Sequence, residues 1–161
     1  MKNLSFLHSL KTLSIITLSA LIFVSCDNST GSEEEEHSEP AGFRLKMNGS
    51  VVVEQLPGET ITGEFELEPE QETPLITIFF LAEDGDEFQP DEPEYSLNAT
   101  FDTDGIAEFE QHEEDGTWSF HIHAEAEGIT NMTLQLFHND HSDFNTQDIH
   151  VHVEAATAAK Q

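Results

Sequence analysis

A glycine preceded by Asn, Asp or Glu recurs along this chain, at Asn48-Gly49, Asp84-Gly85, Asp104-Gly105, Asp115-Gly116 and Glu127-Gly128. Such pairs turn a chain tightly because glycine tolerates positive φ and short polar side chains hydrogen-bond locally. The stretches between them alternate apolar and polar residues with a period of two, which puts one face of a strand in a core and the other in water. Phe43 to Met47 and Ser50 to Leu56 flank Asn48-Gly49, a strong two-residue hairpin signal. Thr60 to Leu67, Tyr95 to Phe101, Ile106 to His112, Thr117 to Ala126, Ile129 to Phe137 and Asp148 to Glu154 continue the pattern. Leu75 to Leu81 (LITIFFL) is almost continuously apolar, as a strand covered on both faces would be. No window carries helical periodicity. Strands spaced about 8 to 12 residues apart with turns between them predict an all-β sandwich or barrel.

The ends are organised differently. Residues 1–25 hold a short basic start and an apolar run from Thr12 to Val24, too short for the about 20 residues that span a bilayer as a helix. The run closes on Phe23-Val24-Ser25-Cys26. This resembles the lipobox of bacterial lipoproteins, although Phe23 stands where that motif usually has leucine. The resemblance implies removal of a signal peptide, lipidation of Cys26, and anchoring in a bacterial outer membrane, facing the periplasm or the cell surface. Cys26 is the single cysteine, so no intramolecular disulfide can form. Residues 26–41 then read as a disordered acidic tether, with Glu33 to Glu36 at its centre. That acidic stretch also resembles a surface-export signal of some bacterial lipoproteins. Residues 42–154 are the predicted folded domain and 155–161 a frayed tail.

Charge excludes some partners. The chain carries 33 Asp+Glu against 5 Lys+Arg. Beyond the leader the basic residues are Arg44, Lys46 and Lys160 alone. Such a surface repels phosphate backbones, so nucleic acid is not an expected partner. Membrane contact is expected through the acylated Cys26 instead.

The second half resembles bacterial Ig-like domains in the order of its segments: IAEFE, a DG turn, TWSFHIHAEAEG, GITNMTLQLF and DIHVHVE. The resemblance covers roughly residues 60 to 154 and implies an Ig-like Greek-key β-sandwich. Domains of that kind act as spacers, adhesins or ligand holders, so the fold alone leaves function open.

Histidine supplies the chemistry. Of the nine histidines, His112, His121, His123, His138, His141, His150 and His152 all follow position 111. In Phe120-His121-Ile122-His123, alternation sends His121 and His123 to one face, their roots about 6.5–7 Å apart. If His112 pairs with Thr117 across the Glu113 to Gly116 turn, Glu108 faces His121, and His112, Glu108 and Glu110 join that face. In Phe137-His138-Asn139-Asp140-His141-Ser142-Asp143, expected as a loop before the last strand, His138, His141 and Asp143 are close in sequence, and His112 is expected near the same end. His150 and His152 should face outward from the opposite sheet. Imidazole with carboxylate suits Zn²⁺, with Cu²⁺ or Ni²⁺ as alternatives.

Phe120-His121-Ile122-His123 also resembles the copper-ligand strand of copper–zinc superoxide dismutases. Only His121 and His123 carry over, that family's disulfide cannot form here, and no arginine follows Arg44. No nucleophile elbow, phosphate loop, zincin or dinucleotide motif is present, so an enzyme is not expected. Asp84-Gly85-Asp86 and Asp102 to Gly105 resemble calcium-loop fragments but read as turns. The expected function is metal capture or delivery near an outer-membrane uptake receptor. A surface interaction or spacer module with solvated histidines is the alternative. Ligation needs neutral imidazole, so affinity should fall as pH drops through about 6.5.

Overall fold

The computed structural model describes residues 39–155. The predicted signal peptide, Cys26, most of the acidic tether and most of the tail lie outside the described residues. Within them the chain is an all-β sandwich. One sheet contains β1 (Gly42–Met47), β2 (Ser50–Gln55), β4 (Ile76–Leu81), β5 (Glu87–Phe88), β7 (Ala107–Glu110) and β8 (Ser119–Ala124). Its order is β2-β1-β4-β8-β7, with β5 also pairing β4. The other contains β3 (Phe65–Leu67), β6 (Tyr95–Phe101), β9 (Gly128–His138), β10 (His141–Asn145) and β11 (Ile149–Val153). There β9 is central, with β6 on one edge and β10 and β11 on the other. Strand β3 pairs parallel to β11. None of the helices among the described residues is long and apolar enough to cross a membrane.

The alternating residues meet as the pattern dictates. Phe43, Leu45, Ile76, Ile78, Phe80, Phe120 and Ile122 come from one sheet, and Leu97, Met132, Leu134, Ile149 and Val151 from the other, in a single buried cluster. The Leu75 to Leu81 run becomes β4, an interior strand flanked by β1 and β8. The first hairpin turns at Asn48 and Gly49, with φ of 52° and 79°, the left-handed values an Asn-Gly turn supplies.

Arg44 and Lys46 are spent locally. Arg44 lies 3.0 Å from both Glu54 and Glu87, and Lys46 2.6 Å from Glu87. Lys46 also sits 4.3 Å over the Phe79 ring. The hydrogen bonds from Lys46 and then Arg44 hold the Glu87 carboxyl below its ordinary range.

Three expectations need correction. Thr60 to Leu67 gives only the short strand β3, with Thr62 bridging Glu54 instead. The β7–β8 ladder pairs Glu108 with His123 and Glu110 with His121, not Glu108 with His121. His112 does not face Thr117 because residues Glu113–Asp115 form a 3-10 turn, and Gln111 Nε2 donates to the carbonyls of Thr117 and Ser119 at 2.7 and 3.2 Å. A side chain thus takes the place of ladder pairing there. Finally, His138 to Asp143 is not a loop. Strand β9 runs to His138, a tight turn at Asn139 and Asp140 follows, and β10 begins at His141. Strand β10 was hidden because it lies at an edge and only Phe144 among its residues is strongly apolar, so no period of two is written in its side chains.

Asp102 closes the opposite region of the domain. Its carboxylate accepts from Thr130 Oγ1, the Asn131 amide N–H and Asn131 Nδ2 at 2.9, 2.9 and 2.7 Å. The bond from the Asn131 backbone, then that from Thr130, draws its pKa down to about 2. The carboxylate of this calcium-like fragment is therefore occupied by the protein itself.

Candidate functional site

Two groups of side chains among the described residues bring three ligand atoms within 4.8 Å of one another: His138, His141 and Asp143, and His112, Asp115 and His121. Each offers two imidazoles and one carboxylate, a donor set suited to Zn²⁺ and other first-row divalent ions.

The first group is built by a hairpin. His138 closes β9 directly opposite His141, the first residue of β10, so both side chains fall on one face. Asn139 takes φ of 54°, which tightens the turn, and its N–H donates to the Glu94 carbonyl at 2.9 Å. The register then slips between Ser142 and Phe144, leaving Asp143 as the extra residue of a bulge. Bulges re-aim side chains. Asp143 Oδ1 lies 2.9 Å from His141 Nε2 and its Oδ2 lies 3.6 Å from His138 Nδ1. The two imidazole rings are 5.5 Å apart. Tyr95 stacks beneath His138. Burial, then the charges of Asp143, Glu92 and Glu94, raises the Tyr95 phenol pKa.

The second group sits on the other sheet. His121 points outward from β8, and the 3-10 turn folds His112 and Asp115 back toward it. The Asp115 N–H donates to the His112 carbonyl at 3.1 Å. Asp115 Oδ2 lies 3.6 Å from His121 Nε2, and the His112 and His121 rings are 5.7 Å apart. On its other side, His121 Nδ1 is 2.8 Å from the Thr73 carbonyl oxygen and 3.6 Å from Glu72 Oε1.

An aromatic cluster joins chain segments that adjoin the two groups. The Phe80 ring makes edge contacts with Trp118 at 5.5 Å and Phe144 at 6.1 Å. Trp118 follows the 3-10 turn and Phe144 follows Asp143, so segments adjoining the two groups meet through Phe80.

The expected ligands are therefore sorted rather than pooled. His138, His141 and Asp143 come together. His121 and His112 come together, but His112 does not join the hairpin group, because the 3-10 turn carries it over β8. His123 belongs to neither group. It lies 3.4 Å from Glu110. His150 and His152 face out from β11 in the five-stranded sheet, away from β8, with His152 Nε2 2.7 Å from Glu154. Asp115 and the Thr73 carbonyl were not anticipated. The His112-x-x-Asp115 spacing was the available signal, lost among the neighbouring acids Glu113 and Glu114.

No protein-family profile matches this sequence, and no curated protein matches it. Among solved structures it is similar to domains 4 and 5 of the S-layer protein SbsC, at 16% identity and TM-score 0.41, covering 69% of this chain and 53% of that one. It is also similar to a structure of SbsC domains 4–9, at 12% identity and TM-score 0.43, covering 78% of this chain and 24% of that one.

Proposed function

We propose that this protein is a lipid-anchored extracytoplasmic binder of a transition metal, Zn²⁺ by preference of its donors, which captures the ion or delivers it near an outer-membrane uptake receptor. One observation carries the reading: the β9–β10 turn and its bulge set His138, His141 and Asp143 with their ligand atoms within 4.8 Å of each other. The chemistry supports it. Two imidazoles and a carboxylate leave at least one coordination position open, and His141 at the hairpin tip is 63% exposed, so a bound ion is accessible for exchange. The acid excess raises the local cation concentration. The leader ending at Cys26 supports the anchor, and the role is binding rather than turnover.

Isothermal titration of the metal-stripped full chain with Zn²⁺ tests this. Saturable binding is expected, with one binding event lost in His138→Ala/His141→Ala. If neither Zn²⁺ nor Cu²⁺ binds saturably, the reading fails and a surface interaction or spacer module replaces it.

A further inference from the structure

We infer that His112, Asp115 and His121 form a second metal site, separate from the hairpin site and tighter than it. The inference takes its biological sense from the metal-binding reading, but it stands on different residues in a different sheet.

The ring of His121 is prepared for ligation. A carbonyl oxygen can only accept a hydrogen bond, so the 2.8 Å contact with Thr73 requires the proton to sit on Nδ1. In the neutral ring the lone pair is then on Nε2, the nitrogen that faces Asp115. Metal-bound histidines recur with this arrangement, one ring nitrogen on the ion and the other donating to a carbonyl or carboxylate, because it fixes tautomer and ring direction. Thr73 is itself held firmly. It is buried, its N–H donates to the Ile122 carbonyl at 3.0 Å, and its Oγ1 accepts from the Ile122 N–H at 3.0 Å. The segment whose carbonyl orients His121 is therefore tied to β8 by two hydrogen bonds.

Order separates the two sites. The side chains of His121 and Asp115 are 14% and 22% exposed and only His112 of that group is exposed, whereas His138, Asp143 and His141 are 32%, 29% and 63% exposed. A side chain already confined by packing loses less freedom on binding. The β8 site thus gives up less entropy per ligand than the hairpin tip, and the first ion goes there. The hairpin, open to solvent, fills second and empties first. A protein with one retentive and one exchanging site can stay loaded while passing ions on.

Titration of the metal-stripped full chain with Zn²⁺, read by calorimetry and by long-range imidazole ¹⁵N correlation spectra, decides this. Two resolvable events are expected. His121 Nε2 should shift with the first, while its Nδ1 keeps its proton. His112→Ala/Asp115→Asn, confined to the partly exposed turn, should weaken the tighter event by about tenfold or more and leave the weaker one. His138→Ala/His141→Ala should do the reverse. A single event, a tighter event untouched by the His112/Asp115 change, or ligation through His121 Nδ1 would each overturn the inference. Loss of the hairpin event alone would defeat the first site and leave this one standing.

Discussion

Tyr95 lies nearly flat against His138, ring centroids 4.6 Å apart and planes 17° from parallel. Tyr95 is a core residue of β6, and its neighbours Glu92 and Glu94 precede it at the same end. The stack couples an edge of the core to the first imidazole of the hairpin site.

That coupling gives a spectroscopic handle, since the chain has one tyrosine. Burial raises its phenol pKa most, and Asp143 raises it further. A cation bound at Asp143 opposes the second effect. The alkaline phenolate transition, followed by absorbance, should therefore move to lower pH when Zn²⁺ fills the hairpin site, and Asp143→Asn should reproduce part of the shift without metal. An identical transition with and without saturating Zn²⁺ would place the ion elsewhere.

Ligation of the folded state alone must also raise the thermal midpoint. At a free ion concentration about 100 times Kd, one site adds about 2.7 kcal/mol. That corresponds to a rise of several degrees for a domain of this size. Thermal scans with Zn²⁺ and with excess chelator should differ by that amount, and the difference should shrink in His138→Ala/His141→Ala.

Phe80 anchors an aromatic cluster in the core. It is fully buried and contacts Phe88, Trp118 and Phe144. Phe80→Ala should destabilise the domain by about 3–5 kcal/mol, the usual range for truncating a buried aromatic. It should also loosen Trp118, seen as a red shift of the single tryptophan's emission. Denaturant unfolding measures the first and fluorescence of the folded protein the second; an unshifted spectrum would show that Trp118 is held by its 3.0 Å bond to the Pro90 carbonyl alone.

Asp102 makes the fold sensitive to acid. Its folded pKa is about 2, below the ordinary aspartate value. A depressed carboxyl contributes stability at pH above its unfolded pKa, and that contribution is lost as pH falls from about 4 toward 2. Asp102→Asn should therefore be less stable than the parent at neutral pH, with the gap closing across that acid window. A gap that persists unchanged at pH 2 would mean that the amide's altered hydrogen bonding, and not the lost charge, accounts for the loss.

Much of the architecture is legible in the chain itself. Period-two alternation and Asn-Gly or acid-Gly turns are local, and they specify β1, β2, β6, β8, β9 and β11 to within a few residues, as well as the outward face shared by His121 and His123. The division of β8 and β11 between opposite sheets followed from the Ig-like order of segments. What local pattern does not contain is register. A ladder shifts by two residues without exposing a single apolar side chain, so nothing in the alternation distinguishes Glu108 opposite His121 from Glu108 opposite His123. The 3-10 turn and the Gln111 side chain make that choice, and in doing so bring Asp115, not His123, beside His121. The bulge at Asp143 is likewise a product of β10 pairing with β9, because an extra residue exists only relative to a partner strand. Residue types and strand faces are written in one dimension; which imidazoles come close together is decided by pairing between segments, where the geometry of one strand is set by hydrogen bonds from another.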